Sequence, residues 1–156
     1  MSNQLPLKYT IQVYALIIND EGMVLVTDEF QLGMKMTKFP GGGMHFGEGT
    51  IDCLKRELLE ECNQEIEDIQ HFYTTDFYQK ALFYDDHQLL SIYYKAKLKE
   101  SVMFTVSEKE FDFPKLINGN QSFRWVEIQS LNPDIFTFPI DKYVALLLKD
   151  TYCRND

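Results

Sequence analysis

Three glutamates near the end of the stretch TIDCLKRELLEEC, residues 50–62, are the side chains best placed to do chemistry in this chain. On a helical wheel of about 100° per residue, Glu57, Glu60 and Glu61 share an arc of about 100°. Like charges three or four residues apart destabilise a helix by a few tenths of a kcal/mol each. A divalent cation such as Mg²⁺ or Mn²⁺ would relieve that repulsion, because hard cations bind carboxylate oxygens together with substrate phosphates. The alternative is an acidic helix face in contact with solvent.

A glycine-rich segment runs directly into this acidic stretch. Five of the eight glycines of the chain lie within residues 41–49. Such density predicts a backbone that turns tightly or approaches a ligand closely, because glycine is otherwise entropically costly. The segment is not the phosphate-binding loop of nucleoside triphosphatases, which ends in Gly-Lys-Ser/Thr, since the corresponding residues here are Gly47-Glu48-Gly49-Thr50.

The stretch after the glycines has the signals of a helix. Thr50 is expected to cap its N-terminus, and Asp52 puts a negative charge at the positive end of the helix dipole. The apolar positions Ile51, Leu54, Leu58 and Cys62 fall on one stripe. We therefore expect this stripe to dock on a sheet, with the glutamates beside it.

The spacing of these residues resembles the Nudix box of the Nudix hydrolases. Gly42 is followed after five residues by Glu48, and seven further residues lead to Arg56-Glu57-Leu58. One residue later comes the pair Glu60-Glu61. Every catalytic position of the box is thus present at the family spacing, within a segment that runs from Gly42 to Gln64.

The chain departs from the family pattern just after the box. The family has a glycine and then an apolar residue, whereas this chain has Asn63 and Gln64. Asparagine is the next-best residue for a left-handed helix C-cap, so the helix is expected to end there. Ile66 is expected to make the missing apolar contact, because in a strand it points the same way as Gln64. The departure therefore concerns the scaffold more than the glutamates.

The resemblance implies a fold and a reaction. The fold would be α/β, a Nudix-type α/β/α sandwich with a mixed β-sheet between helices, formed by residues 1–156 as one domain. The reaction would be hydrolysis of the diphosphate bond in a nucleoside diphosphate linked to a moiety X, a pyrophosphohydrolase activity on acid anhydrides. The metal ligands that it implies for Mg²⁺ or Mn²⁺ are Gly42, Glu48, Glu57, Glu60 and Glu61. Arg56, Glu57 and Glu60 would be catalytic, with Glu48 pairing with Arg56 to orient the helix.

The box does not determine the general base or the substrate contacts. Glu57 is one candidate base, and Glu110 in the polar segment 107–121 is another, slightly preferred, although a solvated loop is the more common interpretation of such a segment. His45 is a candidate contact for a substrate phosphate or a plain loop histidine. Phe77 is a candidate for stacking on a base, with core or sheet packing as the alternative.

Two other functions remain open at this point. One is a Nudix-fold domain that binds a nucleotide without cleaving it, as a sensor or partner-recruiting module. The other is an isomerase that acts on a small diphosphate on the same scaffold. Hydrolysis is preferred over both because none of the carboxylates of the box is lost.

Strands must surround this helix to position it. KYTIQVYALII and MVLVTDEF, around Asn19-Asp20-Glu21-Gly22, predict a hairpin. A second pair of strands is predicted in IQHFYTTDFYQKALFY and QLLSIYYKAKL, around Asp85-Asp86-His87, and a further strand in FRWVEI. A C-terminal helix is predicted from Asp141 to Tyr152, with Val144, Leu147 and Leu148 as its apolar stripe and Leu146 broadening it.

Composition and charge narrow the class of partner. The chain has 156 residues, 45% of them hydrophobic, and a formal charge of −9. Residues 48–68 hold eight acidic and two basic side chains, so −6 of the −9 is local to the box. A nucleic-acid polymer is therefore not an expected partner, and a nucleotide would bind through a metal.

The ends and the cysteines bear on the compartment. No secretory signal can be recognised at the start, and the longest apolar runs have six residues, whereas about 20 are needed to cross a bilayer. The three cysteines are sparse and suggest reduced thiols. We therefore expect a cytoplasmic protein that does not associate with membranes, and we leave open a homodimer.

Overall fold

The strands and helices that position the acidic residues were located in a computed structural model, which describes residues 5–155. In chain order they are β1 (Lys8–Ile17), β2 (Met23–Gln31), β3 (Met34–Lys38), β4 (Gly41–Gly43), α1 (Thr50–Cys62), β5 (Ile66–Thr74), β6 (His87–Leu98), β7 (Asn120–Glu127) and α2 (Pro139–Arg154). A short 3-10 turn, Pro133–Ile135, precedes α2.

The strands form two hydrogen-bonded sheets. The first is mixed, in the order β4-β1-β6-β5, and its central strands β1 and β6 are parallel. The second is antiparallel, in the order β3-β2-β7. The predicted pairing of β5 with β6 and the strand at β7 are confirmed. Strands β3 and β4 were not predicted, and the strand predicted to continue past Thr74 ends there.

The hairpin predicted between β1 and β2 is wrong. The two strands belong to different sheets, and a single bridge between Ile18 and Val24 joins them. Both edges of β1 are occupied by strands that are distant in sequence, since Tyr14 lies opposite Tyr93 of β6 and opposite Gly41 of β4. A local turn signal carries no information about such partners.

Alternate residues of β1 supply the two cores of the molecule. Val13, Ala15 and Ile17 pack towards α1, and Tyr14 and Leu16 pack towards α2. This two-sided burial is what a period of two in a buried strand produces. The predicted α/β/α sandwich is therefore confirmed, with strands from both sheets between the two helices.

Helix α1 has the predicted bounds and a different N-cap. Gly49, rather than Thr50, is the N-cap residue, and its N–H donates to Asp52 Oδ2 at 3.2 Å. The Thr50 hydroxyl instead shares a hydrogen bond of 2.6 Å with the hydroxyl of Tyr94. At the other end Asn63 adopts the predicted left-handed conformation, with φ of 54°.

The buried side of α1 is rotated from the predicted stripe. Leu54, Leu58 and Cys62 are buried as expected, whereas Ile51 is 40% exposed. Cys53 is buried instead, because its Sγ lies 3.8 Å from the carbonyl oxygen of Gly42 in β4.

The residues after α1 complete its attachment. Ile66 is buried in the same core, which confirms the contact predicted for it. Gln64 is buried and bonded rather than apolar, since its amide donates to the Ser101 carbonyl and accepts from the Met103 N–H. The departure from the family pattern therefore ties α1 to the segment that follows β6.

Helix α2 begins two residues before the predicted start, with Pro139 in its first turn. It buries Ile140, Val144, Ala145 and Leu148, while Leu146 is exposed, contrary to the prediction. Within residues 5–155, no helix is long and apolar enough to cross a membrane. The three cysteines are free, and the one in α2 is exposed.

Candidate functional site

Arg56 of α1 gathers the acidic residues of the box around one guanidinium group. Its Nε and Nη2 donate to the two carboxylate oxygens of Glu48 at 3.0 and 2.7 Å. Its Nη1 donates to Glu57 Oε1 at 3.0 Å and to Glu60 Oε2 at 3.1 Å. Nη2 also donates to the carbonyl of Gly43 at 2.9 Å. The predicted pairing of Glu48 with Arg56 is thus present, and it fastens the glycine loop to the helix.

Glu48 also forms a hydrogen bond within the glycine loop. Its Oε1 accepts a hydrogen bond of 2.7 Å from the His45 N–H. The hydrogen bonds from Arg56, and next the one from His45, lower the pKa of Glu48 from 4.5 to about 2. The same contacts raise the pKa of Arg56. Glu48 is therefore ionised across the whole physiological range, with the His45 side chain exposed beside it.

The backbone of β4 touches two of the box carboxylates. A Cβ atom placed on Gly42 would lie 2.6 Å from Glu57 Oε1 and 2.7 Å from Glu57 Oε2. The neighbouring Gly41 N–H donates to Glu61 Oε2 at 3.1 Å. The glycines are needed here because any side chain at position 42 would occupy the volume of the Glu57 carboxylate.

A buried lysine and a buried glutamate lie on the inner side of this cluster. Lys38, at the end of β3, forms an ion pair of 3.3 Å with Glu29 of β2, and both side chains are largely buried. Burial, with repulsion from Glu29 and Glu57, raises the pKa of Glu61 from 4.5 to about 8, despite the opposing effect of Lys38. Glu29 and Glu61 thus share one lysine, and its charge does not fully offset the burial of Glu61.

The donor set suits a hard cation, although the carboxylates are turned towards Arg56. Among residues 5–155, no three His, Cys, Asp or Glu side chains already converge as metal ligands. Arg56 engages one oxygen of Glu57 and one of Glu60. The half-buried Glu61 favours a cation beside it, because a positive charge would offset the burial that raises its pKa. Oxygen ligands of this kind fit Mg²⁺ or Mn²⁺.

Two predicted site residues lie away from the box. Glu110 sits in the segment between β6 and β7, where its Oε1 is 3.7 Å from Arg124 of β7 and its side chain is 62% exposed. Arg124 in turn binds the fully buried Asp28 at 2.7 Å. Phe77 packs edge-on against Tyr143 of α2, with ring centroids 5.8 Å apart. The catalytic role of Glu110 and the substrate contact of Phe77 stay predictions.

The sequence reasoning did not identify Glu29 or Lys38. The available signal was a charged residue inside the otherwise apolar strand MVLVTDEF and a lysine directly before FPGGG. A buried charge needs a partner, but the sequence does not show which residue supplies it.

Comparisons with known proteins agree with this geometry. A sequence model of the NUDIX domain matches residues 8–147. No curated protein matches the chain.

Several solved structures share the fold. A MutT structure, from a study of Aliivibrio salmonicida and Vibrio cholerae, superposes with a TM-score of 0.60 at 21% identity, covering 92% of this chain and 99% of that one. A NUDIX hydrolase from Nitrosomonas europaea gives 0.65 at 16% identity, covering 92% and 90%. A MutT protein from Bacillus halodurans gives 0.63 at 16% identity, covering 89% and 82%.

Proposed function

The chain belongs to the NUDIX domain family, and on that premise we propose that it hydrolyses the diphosphate bond of a nucleoside diphosphate linked to a second group, with Mg²⁺ or Mn²⁺. Its solved structural neighbours include Nudix hydrolases, which supports a hydrolase. The expected substrate is a small nucleotide derivative, and the three free cysteines are consistent with a cytoplasmic setting.

One observation carries the proposal. The glycine backbone of β4 lies against the carboxylates of Glu57 and Glu61, so acidic side chains and close backbone occur at one rim of the molecule. A purely structural acidic face would not need a backbone so close to Glu57 that a methyl group at position 42 would displace its carboxylate. A cation beside Glu61 would offset the burial that raises the pKa of this carboxyl to about 8.

The proposed ligands of the ion are Glu57, Glu60 and Glu61, with Glu48 and the backbone of Gly42 beside them. When bound, the ion would neutralise the phosphate oxygens and make the attacking water easier to deprotonate. The protein's own contribution is orientation. Arg56 holds Glu57 and Glu60 from one side through Nη1, and the other oxygen of each carboxylate makes no hydrogen bond to Arg56.

The proton of the attacking water needs an acceptor. We assign it to Glu57, whose carboxylate lies directly beside Gly42 at the rim of the box. Glu110 is the alternative, although in this structure its carboxylate faces Arg124 of β7. A general base must come within hydrogen-bonding reach of its proton, and segment 107–121 would have to bring Glu110 to the box.

A screen of nucleoside diphosphate derivatives tests the proposal. Each compound is incubated with the protein and Mg²⁺ or Mn²⁺, and phosphate is measured after a coupling phosphatase. We expect metal-dependent turnover of at least one compound and its loss in Glu57→Gln. Tight binding of one compound without turnover of any would overturn the proposal and support a nucleotide sensor.

A further inference from the structure

The mixed sheet carries apolar side chains beyond the start of α1, on the face that α1 covers. Tyr9 and Ile11 of β1 continue the alternation of Val13, which packs towards α1. The helix begins at Thr50, whose hydroxyl meets that of Tyr94 in β6. The earlier positions of the two strands lie past this end of the helix, and Tyr9 is accordingly 71% exposed.

The neighbouring strand and the glycine loop extend this surface. Leu90 of β6 lies opposite Ile11 in the parallel pairing. The Met44 N–H donates to the Ile11 carbonyl at 3.0 Å, which places the glycine loop beside β1. In the turn of that loop Phe46 is fully exposed. We call this surface the apolar face, and its members are Leu7, Tyr9, Ile11, Leu90, Phe46 and Ile51.

The exposed area of the apolar face is close to that of a protein interface. Tyr9 and Phe46 together present roughly 300 to 400 Å², since an aromatic side chain has about 150–250 Å² to bury. The aliphatic members, among them Leu7 at 89% exposed, bring the face to roughly 600 Å². The largest apolar patches on monomers reach about 300–600 Å², and a standard interface buries about 800 Å² on each partner, including a polar rim. The face is therefore large enough to form the centre of an interface.

Charge favours a second copy of the chain as the partner. The β1 and β6 positions on this face are uncharged, namely Tyr9, Ile11, Gln88, Leu90 and Ile92. An anionic lipid surface would bring its own charge to the contact and repel a chain of −9. Two copies related by a two-fold axis would instead bury one neutral face against the other. Their remaining charges would point apart, and salt screens charges separated by more than about 8 Å under physiological conditions.

We infer that the apolar face binds the same face of a second copy, which makes the protein a symmetric homodimer. Tyr9 and Phe46 are its aromatic anchors, since aromatic side chains are enriched in the centres of interfaces. Phe46 lies in the loop that Glu48 fastens to Arg56. The dimer therefore also holds the glycine loop of each copy. This association does not depend on the proposed hydrolysis.

Sedimentation equilibrium of the full chain measures the association. Protein at about 1 to 200 µM is compared at about 0.05 and 0.5 M NaCl, which changes the screening of the −9 charge. The variants Leu7→Glu and Phe46→Glu place a carboxylate in the interface. Leu146→Glu is the matched control, because Leu146 is an exposed leucine of α2, across the mixed sheet from the apolar face. Leu7→Ser and Phe46→Ser serve the same comparison if a glutamate variant loses its fold.

We expect the wild type and Leu146→Glu to dimerise with the same dissociation constant, and more tightly at the higher salt concentration. Dimerisation of the Leu7 and Phe46 variants should be at least about 10-fold weaker, with little change in the Tm of the dilute protein because both side chains are exposed.

A wild type that stays monomeric at every concentration would overturn the inference. If that monomer bound phosphatidylcholine vesicles, the occupant of the face would be a lipid surface instead. A dimer that the Leu7 and Phe46 variants leave intact, or that Leu146→Glu weakens as much as they do, would place the interface elsewhere and overturn the inference as well.

Discussion

The carboxylate of Glu57 occupies the space that a side chain at Gly42 would need, with a Cβ at position 42 only 2.6 Å from Glu57 Oε1. The two residues are 15 apart in sequence, one in β4 and one in α1. The φ angle of Gly42 lies outside the left-handed region that favours glycine, so the backbone conformation does not require a glycine there. The position of the Glu57 carboxylate does.

Gly42→Ala is expected to displace Glu57 and leave the fold intact. The obstructing atoms are the end of a flexible side chain, so Glu57 moves rather than the backbone. Misplacement of a catalytic group by about 1 Å can cost about 10²-fold in rate. We expect kcat to fall by about that factor with little change in Tm. Gly43→Ala is the matched control, because its Cβ would meet only Gln12 at 3.7 Å. Equal activity in the two variants would contradict the account.

Glu57→Gln and Glu110→Gln separate the two candidates for the general base. We expect Glu57→Gln to lower kcat by about 10²-fold to 10⁴-fold, the usual contribution of general acid–base catalysis. Glu110→Gln should keep near-normal turnover with Mg²⁺, since Glu110 faces Arg124. A loss confined to Glu110→Gln would transfer the proton-accepting role to Glu110.

Arg124→Met is expected to destabilise the protein by about 3 to 5 kcal/mol, because it leaves the carboxylate of Asp28 buried without its counter-ion. Arg124 donates to both oxygens of Asp28, at 2.7 and 3.2 Å. Urea denaturation measures the change in the free energy of unfolding. Glu110→Gln is the control, since removing this exposed partner should cost at most about 1 kcal/mol. A similar loss in both variants would show that the Asp28 pair is not the source.

The stability of the protein should depend on pH through Asp141. Burial raises the pKa of Asp141 from 3.8 to about 7 in the folded state. The folded protein therefore binds more protons than the unfolded chain between pH 4 and 7, and its stability falls as pH rises through that window. The side chain in Asp141→Asn does not titrate. As pH rises from 4 to 7, the unfolding free energy of this variant should therefore increase relative to that of the wild type, by at most about 1.4 kcal/mol per pH unit.

Urea denaturation at several pH values between 4 and 8 measures this difference. Asp150→Asn, on the exposed side of α2, is the control and should track the wild type at every pH. A constant difference between Asp141→Asn and the wild type would mean that Asp141 titrates alike in the folded and unfolded chain.

Local patterns in the sequence predicted the positions of the two helices well. The bounds of α1 and the left-handed Asn63 follow from cap residues and periodicity, which act within a few residues. Ile51 was expected to be buried but is exposed, and Cys53 is buried instead. The reason is that the position of β4 decides which face of α1 is covered.

Strand partners and the buried charges could not be predicted in the same way. The hairpin of β1 with β2 failed because β1 pairs instead with Tyr93 and its neighbours, about 80 residues away. Lys38 has two acidic partners, which are Glu29 of β2 and Glu61 of α1. Asp141 and Ser91 share a cavity only because α2 folds over the β1 and β6 face. These are long-range relations, on which one sequence carries little information.

Metal binding by the box carboxylates is the central claim, and Mn²⁺ binding followed by electron paramagnetic resonance tests it most directly. The wild type is compared with the double variant Glu60→Gln plus Glu61→Gln, and the Tm of each is measured with and without the ion. We predict that the wild type binds Mn²⁺ and gains Tm through preferential binding to the folded state, and that the double variant does neither. Equal Mn²⁺ binding and an equal rise in Tm in the two proteins would place the ion elsewhere and contradict the account.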